Sequence, residues 1–292
     1  MGRFGSWARG LFGAKEEPGP YRSSPMLRVP TPSGSQSFVE DNNDFALATY
    51  AEVRQRPGNL FCSPFSVRAA LVMTLAGARG ETAAQMREAL RISSLDETVH
   101  ASLAAIIRRL NLAGGGKYEM AVANSLWSQE GAPLQTGFLD LIAGHYAGDL
   151  NLVDFRSGAE AARLRINQHV EDKTRQKITW GTVDMCGPLT ALGMALSFDR
   201  SRADFSGING HQPPHEEALF ISAVFHKAFV DVNEEGTEAA AATVTPTIAL
   251  RPSKAPETPI FRADHPFIFV IRDRTSGAIL FLGRIGDPTR ES

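Results

Sequence analysis

Residues capable of chemistry are present in this chain, but their spacing does not assemble them into a catalytic set. A nucleophile elbow reads G-x-S-x-G, and Asp204-Phe205-Ser206-Gly207 lacks the glycine ahead of its serine. The seven histidines are scattered and none falls in H-E-x-x-H. His211 and His215 bracket Pro213-Pro214, which predicts a solvated loop in preference to a metal clamp. Glu216-Glu217 and Glu234-Glu235 are adjacent pairs, so on strands their carboxylates face opposite ways and cannot share one acid/base task. Gly114-Gly115-Gly116 has no following Lys-Ser/Thr pair and reads as a turn, not a phosphate cradle. Two cysteines, Cys62 and Cys186, make neither a disulfide framework nor a four-cysteine zinc site. The expectation is a protein that is not an enzyme and uses no metal and no cofactor.

One segment has a different kind of chemistry in it. Asn233-Glu234-Glu235-Gly236-Thr237-Glu238-Ala239-Ala240-Ala241-Ala242-Thr243-Val244-Thr245 runs without a further turn signal to Pro246. Alanine at this density favours helix, so a short exposed helix is the plain alternative. With period two, Thr237, Ala239, Ala241, Thr243 and Thr245 share one face while Glu238 points the other way. A strand with so small a face could lie exposed as a loop or slide between two strands of an existing sheet. Large side chains there would block the second option.

The elements that must carry this segment follow from periodicity and turn signals. Residues 1–37 hold five prolines, six glycines, five basic and two acidic side chains, a composition that predicts a disordered tail. Arg9 and Lys15 interrupt any apolar run there, so no export signal is visible. Beyond it, Asp41-Asn42-Asn43-Asp44 offers N-cap oxygens to a helix carrying Phe45 and Val53. Ser63 or Ser66 can cap a second helix ending at Gly77, and helices are expected over 81–90, 100–110, 139–146 and 159–176. Strands are expected over 120–127, 219–232, 266–272 and 278–284, the last two joined by Asp273-Arg274-Thr275-Ser276-Gly277. Helices first and strands later predict α+β packing about a mainly antiparallel sheet. With 43% hydrophobic and 21% charged residues the chain is globular, and 30 basic against 32 acidic side chains argue against nucleic acid as a partner. No run of about 18 apolar residues suggests a membrane span.

Several blocks of this sequence, in order, resemble the serpin family of protease inhibitors. The stretch 233–245 resembles the proximal hinge of the family's reactive-centre loop, and Val224 to Asn233 the strand that leads into it. Asn59-Leu60-Phe61-Cys62-Ser63-Pro64-Phe65-Ser66 with Gly77-Ala78-Arg79-Gly80-Glu81-Thr82 is similar to the family's early helix and the loop after it. Ala123-Asn124-Ser125-Leu126-Trp127 resembles a main-sheet strand. Ile166-Asn167 with Thr174 to Ile178 resembles the helix lying over that sheet. Phe261-Arg262-Ala263-Asp264-His265-Pro266-Phe267 and Ile279-Leu280-Phe281-Leu282-Gly283-Arg284 resemble the C-terminal signature. The likeness spans 38–288, giving one serpin-like domain over 38–292 after the tail.

That resemblance implies a suicide-substrate inhibitor of serine-type, or cysteine-type, endopeptidases. The metastable fold would insert its mobile reactive-centre loop into the main sheet after cleavage. It implies a hinge of Glu234, Glu235, Gly236, Thr237, Glu238, Ala239, Ala240, Ala241 and Ala242, with Gly236 as pivot. Family spacing places the scissile bond at Leu250-Arg251, where leucine suits a chymotrypsin-like or elastase-like pocket. Ser63, Ser66 and His226 resemble the polar cluster that controls sheet opening. By themselves the serines read equally well as helix caps and His226 as a hydrogen-bonded strand histidine. A monomer acting outside the cell is implied, with the cytoplasm as the alternative because no export signal is visible.

Two departures from the family pattern stand out. Pro246 lies in the stretch that should insert and removes one ladder bond. Near 179–186 the chain passes from the sheet-covering helix directly to a block resembling a much later helix, so on the order of a hundred residues, a main-sheet strand among them, are expected to be absent. The fold is then incomplete, and the apolar faces of 267–271 and 278–282 are expected to lie exposed.

Overall fold

The computed structural model describes residues 35–93, 96–112, 126–146, 150–174, 183–226 and 263–288. In chain order these form α1 (Ser35–Val53), β1 (Leu60–Cys62), α2 (Pro64–Leu75), α3 (Gly80–Ala89) and α4 (Asp96–Leu112). Next come β2 (Leu126–Gln129), α5 (Thr136–Tyr146), β3 (Leu150–Val153), α6 (Ala159–Thr174), β4 (Val183–Asp184) and α7 (Cys186–Ala191). The short helix α8 (Ser206–Asn209), β5 (Phe225–His226), β6 (Phe267–Arg272) and β7 (Ile279–Ile285) follow. Helices packed beside a largely antiparallel set of strands make this an α+β fold. Among the described residues no helix is long and apolar enough to cross a membrane.

The core is built around α2. Pro64, Phe65, Val67, Ala69, Leu71, Val72, Met73 and Leu75 are buried, leaving only the stripe of Ser66, Ala70 and Thr74 half-buried, as expected of a central helix. It lies between α1, which contributes Phe38, Phe45, Ala46 and Val53, and β7, which contributes Leu280 and Leu282. Three antiparallel strands, in the order β1-β7-β6, cover it. Phe61 of β1 stacks on Phe281 and Phe269 at centroid separations of 5.2 and 5.8 Å. The β6–β7 turn closes through Gly277, whose amide donates to Asp273 O over 2.7 Å and whose φ of 83° suits glycine.

Several elements depart from the sequence expectation. The first helix begins at Ser35, six residues ahead of Asp41, so the polar cluster lies inside it and does not cap it. Its side chains grip neighbouring segments instead. Asn42 Nδ2 donates to Ile279 O (3.1 Å), Asn43 Oδ1 accepts from Ile279 N (2.8 Å), and Asp41 accepts from the amide and hydroxyl of Ser93. The strand expected over 219–232 is regular only at Phe225–His226 among the described residues, while Leu219, Phe220, Ile221 and Val224 pack half-buried against the core. Of the apolar faces expected to lie open, Ala278, Leu280 and Leu282 are buried under α1 and α2, whereas Ile268 and Val270 of β6 are 62% and 49% exposed.

Two further strand pairs stand apart from this sheet. β2 and β3 run parallel, joined across α5, with Ser128 opposite Leu152. β4 and β5 pair antiparallel with Val183 opposite His226, extended by Met185 N donating to Val224 O (2.9 Å).

Candidate functional site

Ser63 closes β1 and caps α2. Its extended backbone turns into the helix at Pro64, the position where a missing N–H costs no helical bond. Its hydroxyl accepts from Ser66 N at 3.2 Å and donates to Leu280 O of β7 at 2.8 Å. Ser66 Oγ lies 3.0 Å from Ser63 Oγ, to which it can donate because the Ser63 proton is given to Leu280 O. The Ser63 amide donates to Nε2 of His226 on β5 at 2.8 Å. An accepting Nε2 fixes the neutral tautomer with the proton on Nδ1. Burial pushes the His226 imidazole down to about 4, so it is uncharged at neutral pH.

The structure therefore brings Ser63, Ser66 and His226 together. Ser63 is the helix cap, Ser66 lies within the first turn and supplies the amide that Ser63 caps, and His226 is a hydrogen-bonded strand residue. Their union still does something a cap alone does not, because it ties α2, β7 and the β4–β5 pair through one residue. With Nε2 engaged by the Ser63 amide, His226 does not act as a base toward either serine hydroxyl. Nearby Cys62 is buried, which pushes its thiol up to about 12 and leaves it unreactive.

Glu234, Glu235, Gly236, Thr237, Glu238, Ala239, Ala240, Ala241 and Ala242 lie outside the described residues, as do Leu250 and Arg251. Two histidine pairs were not anticipated. His100 of α4 meets the Tyr146 hydroxyl of α5 at 2.6 Å, and burial, with His145 and Arg87 adding to it, holds His100 down to about 4. Its position three residues before Leu103 on the apolar stripe of α4 was the available signal. His211 and His215, expected in a solvated loop, stack with ring centroids 4.1 Å apart.

In this α+β body a cluster of buried Ser63, half-buried Ser66 and buried His226 joins the central helix to two sheets. A family model described as serpin (serine protease inhibitor) matches residues 40–182 and, separately, 180–288. The chain belongs to the serpin family, and as such it is not an enzyme. It is 28% identical over 361 residues to an uncharacterised serpin-like protein of Thermococcus kodakarensis, with 84% of each chain covered. It is 26% identical over 382 residues to the leukocyte elastase inhibitor of Homo sapiens, covering 85% of this chain and 98% of that one. The crystal structure of tengpin, a thermophilic serpin in its native state, shares the fold with a TM-score of 0.70 at 20% identity, covering 91% of this chain and 97% of its own.

The alignment to the human relative has 382 positions, whereas 85% of 292 residues is about 248. On the order of 130 of its positions therefore face no residue here. The two stretches matched by the family model meet at 180–182.

Proposed function

We propose that this chain inhibits a serine-type endopeptidase as a suicide substrate, presenting the segment 234–260 as bait with attack at Leu250-Arg251. The observation that carries the reading is the bond from Ser63 N to His226 Nε2. His226 is the last described residue before the sequence runs on to the hinge-like stretch from Glu234, so β5, which leads toward the bait in sequence, is fastened to the cap of the central helix. Releasing that fastening is a physical means of letting β5 move aside. Gly236 would pivot, and the small residues Thr237 and Ala239 to Ala242 would enter the sheet first. The cytoplasm is the alternative to an extracellular setting, and fractionation of producing cells distinguishes them; sedimentation tests the expected monomer. The decisive experiment incubates the full chain with chymotrypsin-like and elastase-like proteases. A covalent complex that survives SDS is expected, and loop cleavage without any complex overturns inhibition.

A second reading has its own observation. About 130 aligned positions of the human relative face no residue here, which favours a serpin-like binding protein that cannot accept its loop as a strand. It predicts no rise in melting temperature after loop cleavage, whereas a cleaved form melting far above the intact one excludes it.

A further inference from the structure

The loop from Asn209 to Ala218 folds back on itself in a way the sequence concealed. His215 N donates to Gln212 O and Ala218 N to His215 O, each at 3.0 Å, so two successive tight turns bring the loop's histidines face to face. Buried Asn209 clips both arms. Its Oδ1 accepts from His211 N at 3.1 Å, and its Nδ2 donates to Glu217 O at 2.7 Å. The result places His211 Nε2 3.3 Å from Glu217 Oε2 and stacks the two imidazoles at 4.1 Å.

We propose that His211, His215 and Glu217 form a binding site for a divalent transition-metal ion such as Zn²⁺. One ligand atom from each of the three lies within 4.8 Å of the others. Ligands around tetrahedral zinc, at bonds of about 2.0–2.1 Å, sit roughly 3.4 Å apart. Closing that difference needs only side-chain rotation, because His215 is exposed and the other two are half-buried. Two imidazoles and one carboxylate are the ligand set that favours zinc and its neighbours over magnesium or calcium.

His215 Nδ1 accepts from Glu217 N at 3.1 Å, so ligation through this nitrogen would displace that amide, and ligation through Nε2 would move the ring proton to Nδ1. The ion would sit between His211 Nε2 and Glu217 Oε2, which stand 3.3 Å apart. Arg156 Nη2 stands 3.6 Å from the other carboxylate oxygen, Oε1, and would orient the glutamate from outside the site. A fourth position is left to water. Binding would brace the loop against the turn after β3, which carries Arg156, and stabilise the folded chain by mass action. The proposal does not depend on the inhibitory reading above.

Titrating ZnCl₂ into tag-free, chelator-treated full-length protein by calorimetry tests it. One ion per chain is expected, with affinity falling at least tenfold in His211→Ala and in His215→Ala and measurably in Glu217→Gln. His265→Ala, at an exposed histidine elsewhere, should leave binding unchanged. Visible absorption on adding Co²⁺ to the unaltered protein reads ligation by imidazole without any substitution. The absence of a Co²⁺ spectrum, or binding unaltered in the double variant His211→Ala/His215→Ala, overturns the site.

Discussion

The backbone amide of Ser63 donates to Nε2 of His226 across 2.8 Å, although the two residues are 163 positions apart in the chain. Ser63 thus uses all its polar atoms nearby. The amide holds β5, and the hydroxyl serves Ser66 N and Leu280 O. Anything that moves β5 must break a buried bond at the first turn of the central helix.

Ser63→Ala removes the hydroxyl and leaves the amide bond to His226 intact. It loses an N-cap, about 1 kcal/mol, and a buried hydrogen bond to Leu280 O, about 1 kcal/mol more. A fall in unfolding free energy of about 2 kcal/mol is expected by urea titration, with Ser66→Ala costing less than half of that. Equal losses at the two positions would contradict the cap geometry.

His226 and His100 make stability depend on pH. Each is held down to about 4, chiefly by burial, against an ordinary value of about 6.5. As pH falls below about 6.5 the unfolded chain takes up these protons while the folded chain does not, so folding weakens. The loss grows until about pH 4, where the folded histidines also titrate, with a limiting slope of about 1.4 kcal/mol per pH unit for each. Urea midpoints measured from pH 7.5 to 5 should fall with acidification, and His226→Gln should reduce the slope. An unchanged slope in that variant would sink the assignment.

Much of the fold was readable because its signals are local. The Asp273 to Gly277 turn between two apolar runs, the Ser63-Pro64 helix start and the stripe of α4 each declare themselves within a dozen residues. The start of α1 was misread for the same reason. Asp41, Asn42 and Asn43 look like a cap when judged by their neighbours in sequence, yet their partners are Ser93 and Ile279, far along the chain. Strand β3 is four residues long, too short for its alternation to stand out. The cluster of Ser63, Ser66 and His226 was legible only through family order, since no local rule links positions so distant. His211 and His215 were set apart by the prolines between them, but the turns those prolines help to form bring the rings together.

Gly283 has no room for a side chain. A Cβ there would collide with the Phe269 ring and stand 3.0 Å from the carbonyl oxygen of Leu60. The ring cannot withdraw freely, because it stacks on Phe61, and the carbonyl belongs to a backbone ladder. Glycine within a strand is ordinarily a weakness, so alanine would help wherever space allowed. Here Gly283→Ala is expected to cost about 1–3 kcal/mol through overpacking. A thermal melt at or above that of the parent would show that the β1–β7–β6 sheet yields.

Arg68 is 1% exposed in the middle of the apolar core, and its charge is expected to contribute less to stability than its stem. Nε donates to Leu90 O at 3.0 Å and the guanidinium lies 4.6 Å from the centre of the Phe38 ring. Among the described residues neither Nη atom finds a hydrogen-bond partner, and Asp41 stands 3.9 Å away. Burial pushes Arg68 down to about 10 despite the opposing pull of Asp41, so it remains charged at neutral pH with much of its desolvation cost uncompensated. Arg68→Met keeps the packing length and removes that cost. Asp41 is not orphaned by the change, because Ser93 still donates to it from amide and hydroxyl. The variant should match the parent or exceed it by about 1–3 kcal/mol. Asp41→Asn, which takes away the carboxylate facing a buried cation, should lower stability by about 1–2 kcal/mol. Urea unfolding of the two variants beside the parent reads both signs at once, and a loss above about 1 kcal/mol in Arg68→Met would show that the charge itself holds α1 to α2.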